Sequence, residues 1–119
     1  MALASVTAQN QALDGLSGGA TNLLAYVSLH DASPSTTGAN EDATTGYARQ
    51  SCTWNAASGG SKTNSSALSF TTTGVTAVTH FGTFSASTAG TYGIGGALSS
   101  SVTAASITVA AGALTLSAS

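Results

Sequence analysis

The chain has 119 residues, which suits one domain and is short for two, and only 5% of them are charged, for a formal net charge of −2. Two basic residues, Arg49 and Lys62, cannot make the basic stripe of a nucleic-acid binder, and the charge is too sparse for an acidic disordered tail. No run approaches the roughly 20 apolar residues of a membrane span, and one Cys with two His is too little for a disulfide or metal scaffold.

Residues 1–5 hold no Lys or Arg and no continuous apolar block, so no secretory signal is expected. The chain is expected to be made and used without Sec export. Over residues 6–17, Ala8, Ala12, Leu13 and Leu16 fall on one helical face, and Gly18-Gly19 is a stop signal. Residues 23–30 alternate, with Ala25, Val27 and Leu29 against Tyr26, Ser28 and His30, which suits a strand. Residues 31–46 hold the chain's single Pro and three of its four acids and form a long polar loop. Residues 47–55 alternate again, with Tyr47, Arg49, Ser51, Thr53 and Asn55 opposite Ala48, Gln50, Cys52 and Trp54. A turn at 58–61 leads to a strand at 63–73, carrying Leu68 and Phe70 on one face, which Gly74 is expected to break. A further strand at 75–86 carries Val78, Phe81 and Phe84, and Gly82 inside it signals a bulge or a close backbone approach. A glycine-rich strand at 91–98 follows a turn at 87–90. Ile107 and Val109 are expected to pair with Leu114 and Leu116 in a terminal hairpin.

About seven short strands with one helix near the start predict a mainly β fold, a small antiparallel β-sandwich or barrel. The chain reads as one β-rich domain over 1–119, with an N-terminal helix or arm at 1–20. Ala, Gly, Ser and Thr make up about three-fifths of it, so a thin core with many Ala positions is expected, with Trp54, Phe70 and Phe81 as its large members. A thin core in a short chain suits a fold completed by neighbouring subunits, and low charge suits surfaces that neighbours cover.

Candidate chemistry is sparse. Cys52 has no second thiol and reads as a small buried apolar residue. His30 and His80 lack the spacing of a ligand pair and read as hydrogen-bonded structural residues. No G-x-S-x-G elbow marks a hydrolase. The acids Asp31, Glu41 and Asp42 lack the order of a calcium loop, and they lie too close together for a glycosidase pair across a cleft. No catalytic residue, cofactor or metal is expected. Asn64-Ser65-Ser66 matches a glycosylation acceptor in form but has no secretory context. The strongest polar expectation is an ion pair that clamps the loop, between Glu41 or Asp42 and Arg49.

Several words stand out: Tyr26-Val27-Ser28-Leu29-His30-Asp31-Ala32-Ser33-Pro34, Thr37-Gly38-Ala39-Asn40-Glu41, Tyr47-Ala48-Arg49-Gln50, Thr53-Trp54 and Thr79-His80-Phe81-Gly82. In this order, L-H-x-A-x-P, G-A-N-E, Y-A-R-Q, the chain resembles a family of small bacteriophage virion proteins over residues 26–98. Asp31 and Ser33 stand where Thr and Asp are commoner. The resemblance implies a non-enzymatic structural component of the virion surface. The first expectation it supports is a capsid decoration or minor capsid protein bound to the major capsid lattice as a homo-oligomer, a trimer suiting three-fold positions. The alternative is a minor tail or tail-fibre-associated protein that contacts the host surface, with Trp54, Tyr47 and Tyr92 available to stack on sugars. Nucleic acid and membrane are not expected partners.

Overall fold

The computed structural model describes residues 5–18, 21–43 and 46–117. Parts of the expected N-terminal arm (1–4, 19–20, including Gly19 of the stop signal) and of the loop (44–45) lie outside the described residues. Helix α1 spans Val6–Gly18. Ser5 caps it, its Oγ accepting from the Ala8 amide at 3.1 Å, which satisfies one of the amides a helix start leaves open. Leu13 is buried and Leu16 packs beside the core, whereas Ala12, expected on the same face, is exposed.

The strands are β1 (Tyr26–His30), β2 (Gln50–Ser51), β3 (Ser61–Thr63), β4 (Leu68–Phe84), β5 (Tyr92–Val109) and β6 (Thr115–Ser117). They form two antiparallel sheets, one ordered β2-β1-β4-β5 and one pairing β3 with β6. The larger sheet keeps open edges at β2 and β5, so it is not a closed barrel. One hydrophobic cluster joins α1, both sheets and the connections between them, through Leu13, Leu24, Val27, Leu29, Phe70 and Leu116 among others.

Three expectations change. The strand at 63–73 and the strand at 75–86 are one strand, β4, which starts at Leu68 and runs on through Gly74. The glycine-rich strand likewise continues to Val109 as β5. The long ribbon absorbs its irregular residues in register shifts: β4 has four residues between Thr71 and Thr76 where β5 has one, and β5 has four between Ala97 and Val102 where β4 has one. The two insertions offset each other, so pairing on either side of them keeps the same register. The third change is the terminal hairpin. Ile107 and Val109 pair with Phe70 and Leu68 of β4, while Thr115 and Leu116 pair with Thr63 and Lys62 of β3.

Asn64 causes that redirection. Its side chain is fully buried. Its Oδ1 accepts from Leu114 N at 2.9 Å, and its Nδ2 donates to Ser66 O at 2.9 Å and Ala110 O at 3.1 Å. Its backbone carbonyl accepts from Gly112 N at 2.8 Å. The turn at 110–113 is therefore held by Asn64, and the chain leaves it toward β3 instead of folding back on β5. A buried amide so engaged is not an exposed acceptor for a glycan.

The core also differs in composition from the expectation. It is built from the scarce Leu, Val, Ile and Phe residues, and no alanine whose burial is described is buried. Phe70 and Phe81 are buried members, and Trp54 packs partly buried against the core cluster with Nε1 donating to Leu24 O at 2.9 Å. Residues 47–55 contribute only the short ladder of β2 and a bridge from Trp54 to Asn64. β1 is buried on both faces, so Ser28 and His30 are enclosed.

Replacing Asn64 by Ala leaves the Leu114 amide and two carbonyls without their partner inside the fold. The expected loss is about 2–4 kcal/mol of unfolding free energy, read by urea denaturation.

Candidate functional site

The words of the loop converge on the end of β1. The loop folds back on that strand: Asp31 N donates to Asn40 O at 3.0 Å, Asp42 N donates to Leu29 O at 2.9 Å, and Glu41 bridges opposite His30. Inside the loop, the Gly38 and Ala39 amides both donate to Pro34 O at 2.9 Å. Asn40 Nδ2 donates to Ser33 O at 2.8 Å. Gly38 has φ 77°, and a Cβ there would stand 2.6 Å from Phe84 Cζ. Both the backbone angle and the space therefore demand glycine.

Arg49 locks this loop to the sheet. Its Nε donates to Glu41 Oε2 and its Nη2 to Glu41 Oε1, both at 2.9 Å. Such a fork on a carboxylate fixes distance and orientation together. Its Nη1 donates to Ala86 O at 3.0 Å and Ala89 O at 2.8 Å, which ties in the turn after β4. Its guanidinium carbon lies 3.5 Å from the centre of the Phe84 ring, a cation–π contact. The pair is largely withdrawn from water, with side chains 10% (Arg49) and 23% (Glu41) exposed. Tyr47 adds a third contact: its hydroxyl donates to Glu41 Oε2 at 2.7 Å and accepts from Leu29 N at 2.9 Å. Burial alone raises the Glu41 pKa, but the hydrogen bonds from Arg49 and Tyr47 and the nearby positive charge outweigh it and hold the carboxyl below the ordinary glutamate range.

His30 lies beneath this layer. Its Nδ1 is 2.7 Å from Ala39 O and its Nε2 is 2.8 Å from Ser28 Oγ. A carbonyl only accepts, so Nδ1 carries the proton and Nε2 accepts from the serine. The ring stacks against Phe84 with 9° between planes, and Tyr92 meets Phe84 edge-on with centroids 5.5 Å apart. Burial pushes the His30 pKa down, although the Ala39 carbonyl and the Glu41 charge favour the proton. Gly82 makes this arrangement fit: a Cβ there would lie 2.8 Å from His30 Nε2 and 2.9 Å from Ser28 Oγ. It is a close backbone approach, and a register shift follows it before Phe84.

Of the two acids named for the clamp, the structure brings Glu41 to Arg49. Asp42 turns inward beside Asp31. Burial, then the Asp42 charge and a hydrogen bond between the two carboxyls, raise the Asp31 pKa. Cys52 is buried, which pushes its thiol up to about 11, away from nucleophilic use at neutral pH. Sequence reasoning missed a second ion pair, Lys62 Nζ to Asp14 Oδ1 at 2.7 Å, with the Lys62 side chain only 4% exposed. Asp14 Oδ1 also accepts from Ala57 N at 2.9 Å, so one carboxylate fastens α1 to the segment before β3. The available signal was thin: Lys62 is the chain's one lysine and the helix holds one acid, 48 residues away.

The polar atoms of Glu41, Arg49, Tyr47 and His30 are thus spent on each other, on Ser28 and on backbone. The three aromatics named for sugar stacking are occupied as well: Trp54 points its indole N–H inward, Tyr47 bonds at the clamp, and Tyr92 packs on Phe84. Among the described residues there is no group of three His, Cys, Asp or Glu side chains able to hold a metal ion, and no helix long and apolar enough to cross a membrane. The arrangement can hold a loop rigid against a sheet. The class comes from a protein-family model: the chain matches podophage GP4 fiber I protein gp80 over residues 4–117 and belongs to that family. It is therefore a bacteriophage virion structural protein. No curated protein matches it. Between the two expectations drawn from the sequence, the family's description favours the fibre alternative over capsid decoration.

Two measurements check the site. Arg49→Lys keeps the charge but loses the fork and the contacts to Ala86 and Ala89. It is expected to lower unfolding free energy by about 1–3 kcal/mol in urea. The pH dependence has two limbs. The folded His30 pKa lies below its unfolded value, so the unfolded chain takes up the proton first, and stability falls as pH drops below about 6.5 and on through the lower folded value. The folded Glu41 and Asp14 pKa values are also lowered, so their contribution is complete above about pH 4.3 and is lost as pH falls through the folded values. Thermal melts across pH should show both limbs. His30→Gln should remove the upper one and Glu41→Gln should flatten the lower one.

Proposed function

We propose that the chain is a non-enzymatic, tail-fibre-associated subunit of a bacteriophage particle, seated among other virion subunits and contributing to contact with the host surface. The observation that carries this reading is the family match, because it spans nearly the whole chain and the family is described as a fibre protein. The structure supports it physically. Loop 31–43 is fastened to the sheet by a charge-assisted fork, an aromatic face and backbone hydrogen bonds, so the module keeps its shape without metal or disulfide. Its sparse charge suits surfaces that neighbouring subunits cover. Trp54, Tyr47 and Tyr92 are half-buried and make contacts inside the subunit, so this reading assigns the host contact to none of them.

Quantitative mass spectrometry of purified particles, with antibody labelling in the electron microscope, tests the assignment. The expected outcome is a copy number far below that of the major capsid protein and label at the tail. Label over the whole head, at a copy number near that of the major capsid protein, would instead establish capsid decoration.

A further inference from the structure

Strand β5 is an edge strand, and among the described residues its one strand neighbour is β4. Long edge strands are normally guarded by Lys, Pro, inward charges or bulges, because their free N–H and C=O groups invite another strand. β5 runs for 18 residues without Lys, Arg, Asp, Glu or Pro. Its inserted residues lie between Ala97 and Val102; from Val102 to Val109 the extra residues are on β4, so this part of the edge is uninterrupted. Beside it opens an apolar trough of about 560 Å³, walled by Leu98, Val102 and Val109, with the core residues Val27, Leu29 and Phe81 at its base. The charge distribution narrows what can fill it. All six charged residues lie between Asp14 and Lys62, and residues 63–119 contain none. An occupant bringing charges into this region would leave them desolvated and unpaired. It must offer a strand edge together with uncharged, small or aliphatic side chains, and β5 of another molecule offers both.

We infer that the Val102–Val109 edge and its trough are the contact surface for a second copy of this chain. Edge-to-edge pairing extends the four-stranded sheet across the contact and covers the trough walls. The inference stands on the edge and the charge distribution, and holds whether the particle carries the subunit on its tail or its head.

Sedimentation equilibrium of the purified full chain tests it, with Thr103→Lys and Thr108→Lys as variants, since both side chains are exposed and a lysine at either is compatible with the fold. Gln11→Lys on the exposed side of α1 is the control. The wild-type chain and the control should sediment at a multiple of the 11.4 kDa chain mass. Each edge variant should dissociate at a concentration at least about tenfold higher, with an unchanged circular dichroism spectrum. A wild-type chain that stays at 11.4 kDa up to millimolar concentration overturns the inference. So does self-association that both edge variants leave intact. Neither result bears on the location measured in particles, so the two proposals fail separately.

Discussion

The guanidinium of Arg49 is the point on which the loop, the sheet and the turn after β4 depend. Three segments meet there: Glu41 from the loop, the Phe84 ring at the end of β4, and the carbonyls of Ala86 and Ala89 beyond it. A neutral side chain would satisfy some of these partners but not the carboxylate, and a lysine would satisfy the charge but not the planar fork. The surrounding residues are shaped to this contact. Gly38 lets the loop close over Phe84, Gly82 lets His30 and Ser28 approach the strand, and Tyr47 completes the carboxylate's hydrogen bonding. Burying an ion pair costs desolvation, and the fork with its extra donor is the arrangement in which attraction best offsets that cost.

Much of this was legible because it is local and chemically distinctive. Opposite charges are so scarce in the chain that Glu41 and Arg49, flanking a polar loop, nominate each other. The L-H, P, G-A-N-E and Y-A-R words supply the strand end, the loop's anchoring carbonyl, its glycine, its acid, the tyrosine and the arginine, and all of them meet in space. Asp42 was as good a candidate by sequence as Glu41. The choice between them was set by backbone direction, since the bridge between His30 and Glu41 turns one side chain toward Arg49 and its neighbour toward Asp31.

What was not legible depends on distant partners. Gly74 looks like a strand break, yet the ribbon tolerates it because a second insertion in β5 restores the register. The sequence around Ala110–Ala113 reads as a hairpin turn, and only the buried amide of Asn64, far back in the chain, sends the strand after it to β3. Nothing local in β1 signals that Ser28 and His30 are fully buried; the returning loop supplies the Ala39 carbonyl to His30. The Asp14–Lys62 pair joins elements that no local pattern connects. In each case periodicity reports what a segment is able to form, and tertiary partners decide which possibility is used.

For a virion subunit the division of labour is physically coherent. Charges are gathered where they lock the subunit's own parts together, and the long β4–β5 ribbon carries none. The account therefore rests on the clamp being a true energetic coupling and not an incidental surface pair. A double-mutant cycle with Glu41→Gln and Arg49→Met, read by urea unfolding at pH 7, measures this directly. The account predicts a coupling energy of about 2 kcal/mol or more between the two side chains, and a value below about 0.5 kcal/mol, the scale of an exposed pair, would contradict it.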